Sequence, residues 1–151
     1  RPQCREGHLM ARQFETYRGF VYPWCIDHVG HMNVQSYVAR FDEASWHFLA
    51  RIGLTPSFLA AQNRGLVALD QRIQYRREVL PGSLLDVATE LIELGHKTLR
   101  YLHRMRNSET ADEVASMELL VGYLDKTARR TTPLPDVVAA RARAVLAAES
   151  S

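Results

Sequence analysis

The sequence has only two cysteines, Cys4 and Cys25, in 151 residues. Two irregularly placed thiols exclude a disulfide framework and a zinc knuckle, and they suit a reducing cytoplasm. An excess of one charge is also missing. The formal net charge is +2, too close to balance for a nucleic-acid surface. No run approaches the roughly 20 apolar residues of a membrane span, and the first thirty residues hold no uninterrupted apolar stretch of the secretory type. Repeats, low-complexity segments and linkers are absent as well. Met10 followed by Ala11 is a candidate start, which leaves residues 1–9 as an extension and residues 10–151 as one domain. Hydrophobic residues make up 46% of the chain, enough for a core at this length. The expected partner is therefore a small molecule, with no nucleic acid and no membrane.

What is present begins with a seven-residue stretch, Asp27-His28-Val29-Gly30-His31-Met32-Asn33. It follows a loosely alternating segment, residues 13–24, that reads as a strand with Phe14, Phe20, Tyr22 and Trp24 on one side. After it, Val34, Tyr37, Val38, Phe41, Ala44, Ser45, Phe48, Leu49 and Ile52 keep the i, i+3, i+4, i+7 spacing of a helix buried along one face. Gln35, Arg40, Glu43, His47 and Arg51 fall mainly on the other face. Asn33 suits the N-cap, and Gly53 suits the C′ position where the helix ends.

A carboxylate, a glycine turn and a helix N-terminus thus share seven residues. Asp27 becomes a base or nucleophile next to the N–H groups of Val34, Gln35 and Ser36, which lack intrahelical partners. Donors at the positive end of a helix dipole suit attack on a carbonyl, whose oxygen gains negative charge. Gly30 lets the loop turn and brings backbone close to a substrate. Plainer uses exist for the same residues: Asp27 in an Asx turn, Asn33 as a cap alone, His31 as a loop hydrogen bond. His28 and His31 with Asp27 lack the remote Cys or His that would complete a metal set, so no metal is expected.

Further on, Thr55-Pro56 predicts a short helix over 57–63. The pattern then turns to strands. One covers 67–79 and stops at Pro81-Gly82; a second covers 84–94, with apolar residues on both parities as in a strand covered on both faces. A third, 98–106, alternates Leu99, Tyr101, His103 and Met105 against arginines, and a fourth covers 114–125. Asp136 is a candidate cap for a last helix to about residue 148. The order strand, long helix, four strands, terminal helix is an α+β architecture, one helix layered on a largely antiparallel sheet. The doubly apolar strand 84–94 hints at self-association.

At this point the chain resembles the hotdog-fold acyl-CoA thioesterases of the 4-hydroxybenzoyl-CoA thioesterase type. Their pattern is roughly D-x-x-G-H-x-N-N-x-x-Y, followed by an aromatic and acidic pair on the helix. Here Asp27, Gly30, His31, Asn33 and Tyr37 match, then Phe41-Asp42-Glu43. Ile73-Gln74-Tyr75, Pro81-Gly82-Ser83, Asp125-Lys126-Thr127 and Pro133-Leu134-Pro135 extend the likeness over residues 13–136. Val34 replaces the second asparagine, and Ser45 stands where an arginine often follows the acidic pair.

The resemblance implies a hotdog fold, with a long central helix wrapped by a five-stranded antiparallel sheet. It also implies a homodimer or homotetramer with sites between subunits. The implied reaction is hydrolysis of an acyl-CoA to a free acid and CoA. Asp27 would act as nucleophile or general base, the Val34 amide would polarise the carbonyl, and Gly30 and His31 would shape the loop. Asn33, Tyr37, Arg76 and Arg77 are the expected substrate contacts, with Arg104, Lys126, Arg129 and Arg130 as further candidates for the CoA phosphates. No cofactor is expected, CoA being part of the substrate. Trp24, Tyr37 and Trp46 are core or interface aromatics first, and second candidates for an acyl pocket. Glu43 is a lesser candidate for approaching the thioester from a helix. Two other readings stay open: a hotdog hydratase or dehydratase, which needs an acid–base pair of other spacing, and a non-catalytic acyl-ligand binding module.

Overall fold

A computed structural model describes residues 13–148. Met10 and the extension before it lie outside the described residues. In chain order the elements are β1 (Gln13–Phe20), a single 3-10 turn (Pro23–Cys25), α1 (Val34–Arg51), α2 (Pro56–Ala61), β2 (Arg64–Tyr75), β3 (Leu84–Leu94), β4 (Thr98–Asn107), β5 (Glu113–Asp125), β6 (Arg130–Thr131) and α3 (Asp136–Ala147). The strands form one antiparallel sheet in the order β1-β3-β4-β5-β2, with β6 added on β5. α1 lies against one face of it. No helix among the described residues is long and apolar enough to cross a membrane.

α1 begins and ends for local reasons. Asn33 Oδ1 accepts the N–H of Gln35 at 2.9 Å, and Gly53 takes φ +97°, a conformation that strains any other residue. Between these ends, Tyr37, Phe41, Ala44, Phe48 and Leu49 are buried against core-facing sheet residues such as Val87, Leu99 and Met105. Full burial of each phenylalanine contributes roughly 1.5–3 kcal/mol. One polar group sits inside this interface. His103 is fully buried, with Nε2 2.8 Å from Ser45 Oγ and Nδ1 2.6 Å from Thr89 Oγ1. Thr89 Oγ1 also lies 2.7 Å from Thr16 Oγ1. The imidazole therefore ties α1 to β4, β3 and β1. Burial pushes its pKa down to about 3, so it is neutral at physiological pH.

Several expected boundaries shift. The first strand ends at Phe20 rather than Trp24, because Pro23 opens the 3-10 turn. A register shift between Glu15 and Tyr17 also changes its parity. Phe14 packs on Phe48 with ring centroids 6.4 Å apart, whereas Phe20 points outward beside Leu84. β2 covers 64–75 instead of 67–79: past Tyr75, the N–H groups of Arg76 and Arg77 both go to Val114 O, and the ladder stops. The last helix is capped at Pro135, and Asp136 lies in its first turn without a capping bond.

Within a single chain β3 is covered on one face only. Leu84 and Ile92 are exposed, and Asp86 and Glu90 on the outer face pair with Arg106 and Arg104 across β4 at 3.0 and 2.8 Å. The bulge between Leu91 and Glu93 brings Leu94 back to the inner face, while Leu84 and Ile92 remain on the face that this chain leaves uncovered.

Candidate active site

The loop between the 3-10 turn and α1 is held by its own backbone. Ile26 and Met32 form an isolated bridge, Asp27 N–H donates to His31 O at 3.1 Å, and Gly30 N–H donates to Asp27 O at 3.0 Å. Gly30 takes φ +94°, so the turn needs glycine there. Met32 N–H reaches Val79 O at 2.8 Å, and Asn33 N–H reaches Cys25 O at 2.9 Å. These bonds set the loop between the strand ends and the start of α1.

Asp27 is gripped by two donors. Val29 N–H donates to Oδ1 at 2.9 Å, the Asx turn that is the plainer use of this residue, and Asn33 Nδ2 donates to Oδ2 at 3.2 Å. Chiefly the Val29 N–H, and then the Asn33 amide, hold the carboxyl below its ordinary range, so it is ionised at neutral pH. Asn33 thus has two roles, with its oxygen capping the helix and its nitrogen fixing Asp27. Of the first-turn amides, Gln35 N–H goes to Asn33 Oδ1 and Ser36 N–H to Asn33 O at 2.9 Å. The N–H of Val34 makes no hydrogen bond among the described residues. The side chain of Val34, expected on the buried stripe, is 56% exposed.

Val34 lines a cavity of about 300 Å³ together with His31, Met32, Tyr37, Tyr75, Arg76, Arg77 and Glu78. Four of the expected substrate and loop residues meet there: His31, Tyr37, Arg76 and Arg77. Asp27, Gly30 and Asn33 do not line it and stand in the adjoining loop and cap. Tyr37 is buried and meets Tyr75 edge to face, with centroids 5.1 Å apart. His31 Nδ1 lies 3.0 Å from Glu78 Oε1.

The two arginines differ. Arg76 donates to Glu113, Gln74 and Ser116 and is tied down on the outer face of the sheet. Arg77 has one long ion pair, 3.8 Å to Asp112, and is well exposed. Arg104 is committed to Glu90. Glu43 and Trp46 line a different and larger depression, about 570 Å³, between β1 and α1. That depression contains no free helix-terminal amide.

Tyr75 and Glu78 were not singled out by sequence as site residues, and neither was Arg40. Tyr75 carried the signal of an apolar residue at a strand end. Arg40 carried none, since helical spacing assigns it to the solvent face, yet it is buried against Tyr17, Phe20 and Cys25.

With this geometry, the chain belongs to the thioesterase-like superfamily, whose sequence profile matches residues 21–142. By that membership it is a thioester hydrolase of the hotdog fold. It is similar to a betainyl-CoA thioesterase of Pseudomonas aeruginosa, 26% identical over 136 residues that cover 90% of this chain and 86% of the relative. It is also similar to an L-carnitine dehydrogenase/betainyl-CoA thioesterase of Agrobacterium fabrum, 31% identical over 110 residues. That match covers 73% of this chain but only 22% of the longer relative. Among solved structures, a Staphylococcus aureus protein in complex with CoA superposes with a TM-score of 0.82 at 17% identity, covering 88% of this chain and 84% of the other.

Proposed function

We propose that the protein hydrolyses an acyl-CoA, with Asp27 and the Val34 N–H as its reacting and stabilising groups. The observation that carries this reading is the free Val34 N–H at a capped helix start, beside an ionised carboxylate held by Val29 and Asn33. One donor aimed at a developing oxyanion typically contributes on the order of 3–4 kcal/mol to the barrier. The first turn of α1 has spent its other donors on Asn33, so this one is reserved.

The hydrogen bonds to Asp27 keep it ionised, the form needed both for attack on the carbonyl and for general-base catalysis. As a nucleophile, Asp27 attacks the thioester carbonyl, the C–S bond breaks and the CoA thiolate leaves, giving an acyl–aspartyl anhydride. Water then opens the anhydride, releasing the acid and restoring the carboxylate. Arg77, exposed at the cavity rim, is the arginine free to meet a CoA phosphate.

The acyl group enters beside Tyr37 and Tyr75. Two aromatic rings with the Glu78 carboxylate in the same cavity suit a cationic acyl group, and the P. aeruginosa relative is named for betainyl-CoA. The long edge strand β2, with Leu69 and Tyr75 half exposed, supports association of copies into a homo-oligomer.

The test is thiol release across a panel of betainyl-, aromatic and straight-chain acyl-CoAs. Release of free CoA with stoichiometric acid is expected, fastest with a cationic acyl group. No release from any member would instead favour the binding-module reading.

A further inference from the structure

Arg40 projects from the middle of α1 and is only 8% exposed. One nitrogen of its guanidinium, Nη1, donates to the Tyr17 phenol oxygen. The other, Nη2, donates to Phe20 O at 3.3 Å and lies 3.4 Å from Cys25 Sγ. Its carbon also sits 5.7 Å from the centre of the Tyr17 ring. Nε has no partner, and Arg40 makes no ion pair with a carboxylate among the described residues. A buried cation without a counter-ion is destabilising compared with an apolar side chain of the same size. Packing alone therefore does not account for an arginine here.

All three acceptors lie on one stretch of chain. Tyr17 and Phe20 belong to β1, Cys25 to the 3-10 turn, and Cys25 is two residues from Asp27. The carbonyl of Cys25 also receives Asn33 N–H at 2.9 Å. A cavity of about 170 Å³ lined by Tyr17, Cys25, Ser36, Ala39, Arg40 and Glu43 flanks the same stretch. The guanidinium lies between this stretch and α1 and supplies the polar contacts that join them. A planar fork reaches acceptors in several directions at once, which a lysine ammonium on its flexible stem does not.

We infer that Arg40 is a positioning residue that fixes the Asp27 carboxylate against the Val34 N–H by clamping residues 17–25 onto α1. The inference rests on the proposed roles of Asp27 and Val34. Asp27 is anchored to Asn33 within its own loop, and the chain enters that loop through residues 17–25, so the seat of this stretch on α1 sets where the loop stands relative to the helix start. A misplacement of about 1 Å in such a pair can cost on the order of 100-fold in rate.

The test compares the full chain with Arg40→Met and Arg40→Lys by steady-state thiol release and by amide hydrogen exchange. Arg40→Met is expected to lower kcat by about 10–100-fold while KM stays within about threefold, the split expected when ground-state binding is untouched. Exchange over residues 25–33 should speed up at least about tenfold, with β4 and β5 unchanged, as local rather than global opening requires. Arg40→Lys should fall between the two in both readouts, and it carries the test by itself if Arg40→Met does not fold. An unchanged kcat in a folded variant, or unchanged exchange over 25–33, overturns the clamp. Absence of thioesterase activity in the wild type would instead overturn the proposed function, and the exchange comparison would still decide the clamp.

Discussion

Lowering the pH from 7.5 to 5.0 should weaken this fold through one residue, His103. Its imidazole lies inside the contact between α1 and the sheet, bonded to Ser45 and Thr89 and stacked 5.7 Å from Phe41. Tyr101 packs against it edge-on at 5.2 Å. None of these neighbours supplies a negative charge, so burial dominates and the pKa falls from 6.5 to about 3. The unfolded chain takes up a proton below its ordinary pKa near 6.5, whereas the folded chain resists until about 3. The stability tied to the neutral ring is therefore complete above pH 6.5 and drains away as the pH falls toward 3. Each pH unit in that window is worth about 1.4 kcal/mol, which makes the loss at pH 5.0 about 2 kcal/mol.

Urea unfolding of the wild type and His103→Gln at both pH values isolates the effect, because every other titrating group is common to the two proteins. The wild type should lose about 2 kcal/mol more than the variant on acidification. Equal losses, within about 0.5 kcal/mol, would refute a neutral, unpaired His103 and point to a charge partner or water in the core. The result matters for function because this contact seats the helix that presents the Val34 N–H.

Asn33→Asp keeps an oxygen for the Gln35 N–H, so stability should change by less than about 1 kcal/mol. It also places a second carboxylate against Asp27, and kcat should fall at least about tenfold. Arg77→Ala should raise the KM for acyl-CoA about tenfold, the scale of one charge-assisted contact. Arg76→Ala should raise it less, since Gln74, Glu113 and Ser116 already occupy that guanidinium; the reverse order would move the phosphate site. The acid limb of the pH–rate profile should lie below the ordinary carboxylate range, because the Val29 N–H and the Asn33 amide hold the Asp27 carboxyl down. A fall centred near pH 6 would assign the essential ionisation to another group.

The long helix was legible because three independent signals agree on it: the apolar stripe, the Asn33 cap and the Gly53 stop. The Asp27 loop was legible as well, since a carboxylate, Gly30 and a helix start in seven residues admit few geometries. Less could be read where tertiary neighbours decide. Arg40 falls on the polar side of a helical wheel, but β1 and the 3-10 turn cross over that side and bury it. Arg76 and Arg77 are chemically alike in sequence, and only the pairing of Gln74 with Ser116 across β2 and β5 shows which one is tied down. The bulges at Glu15–Tyr17 and Leu91–Glu93 reverse strand parity, and no local residue pattern announces them. The two-residue β6 was missed because it depends on a turn in which Asp125 accepts the N–H groups of Thr127 and Ala128 and Arg129 takes φ 58°.

The central claim is that Asp27 carries out the chemistry while the start of α1 holds the oxyanion. Single-turnover thiol release by Asp27→Asn, on the best substrate of the panel, tests it most directly. The amide is isosteric and keeps an oxygen for Val29 N–H, so binding should persist while the rate falls by about 10²–10⁴-fold or more. Release at the wild-type rate would contradict the account and move the active site away from this loop.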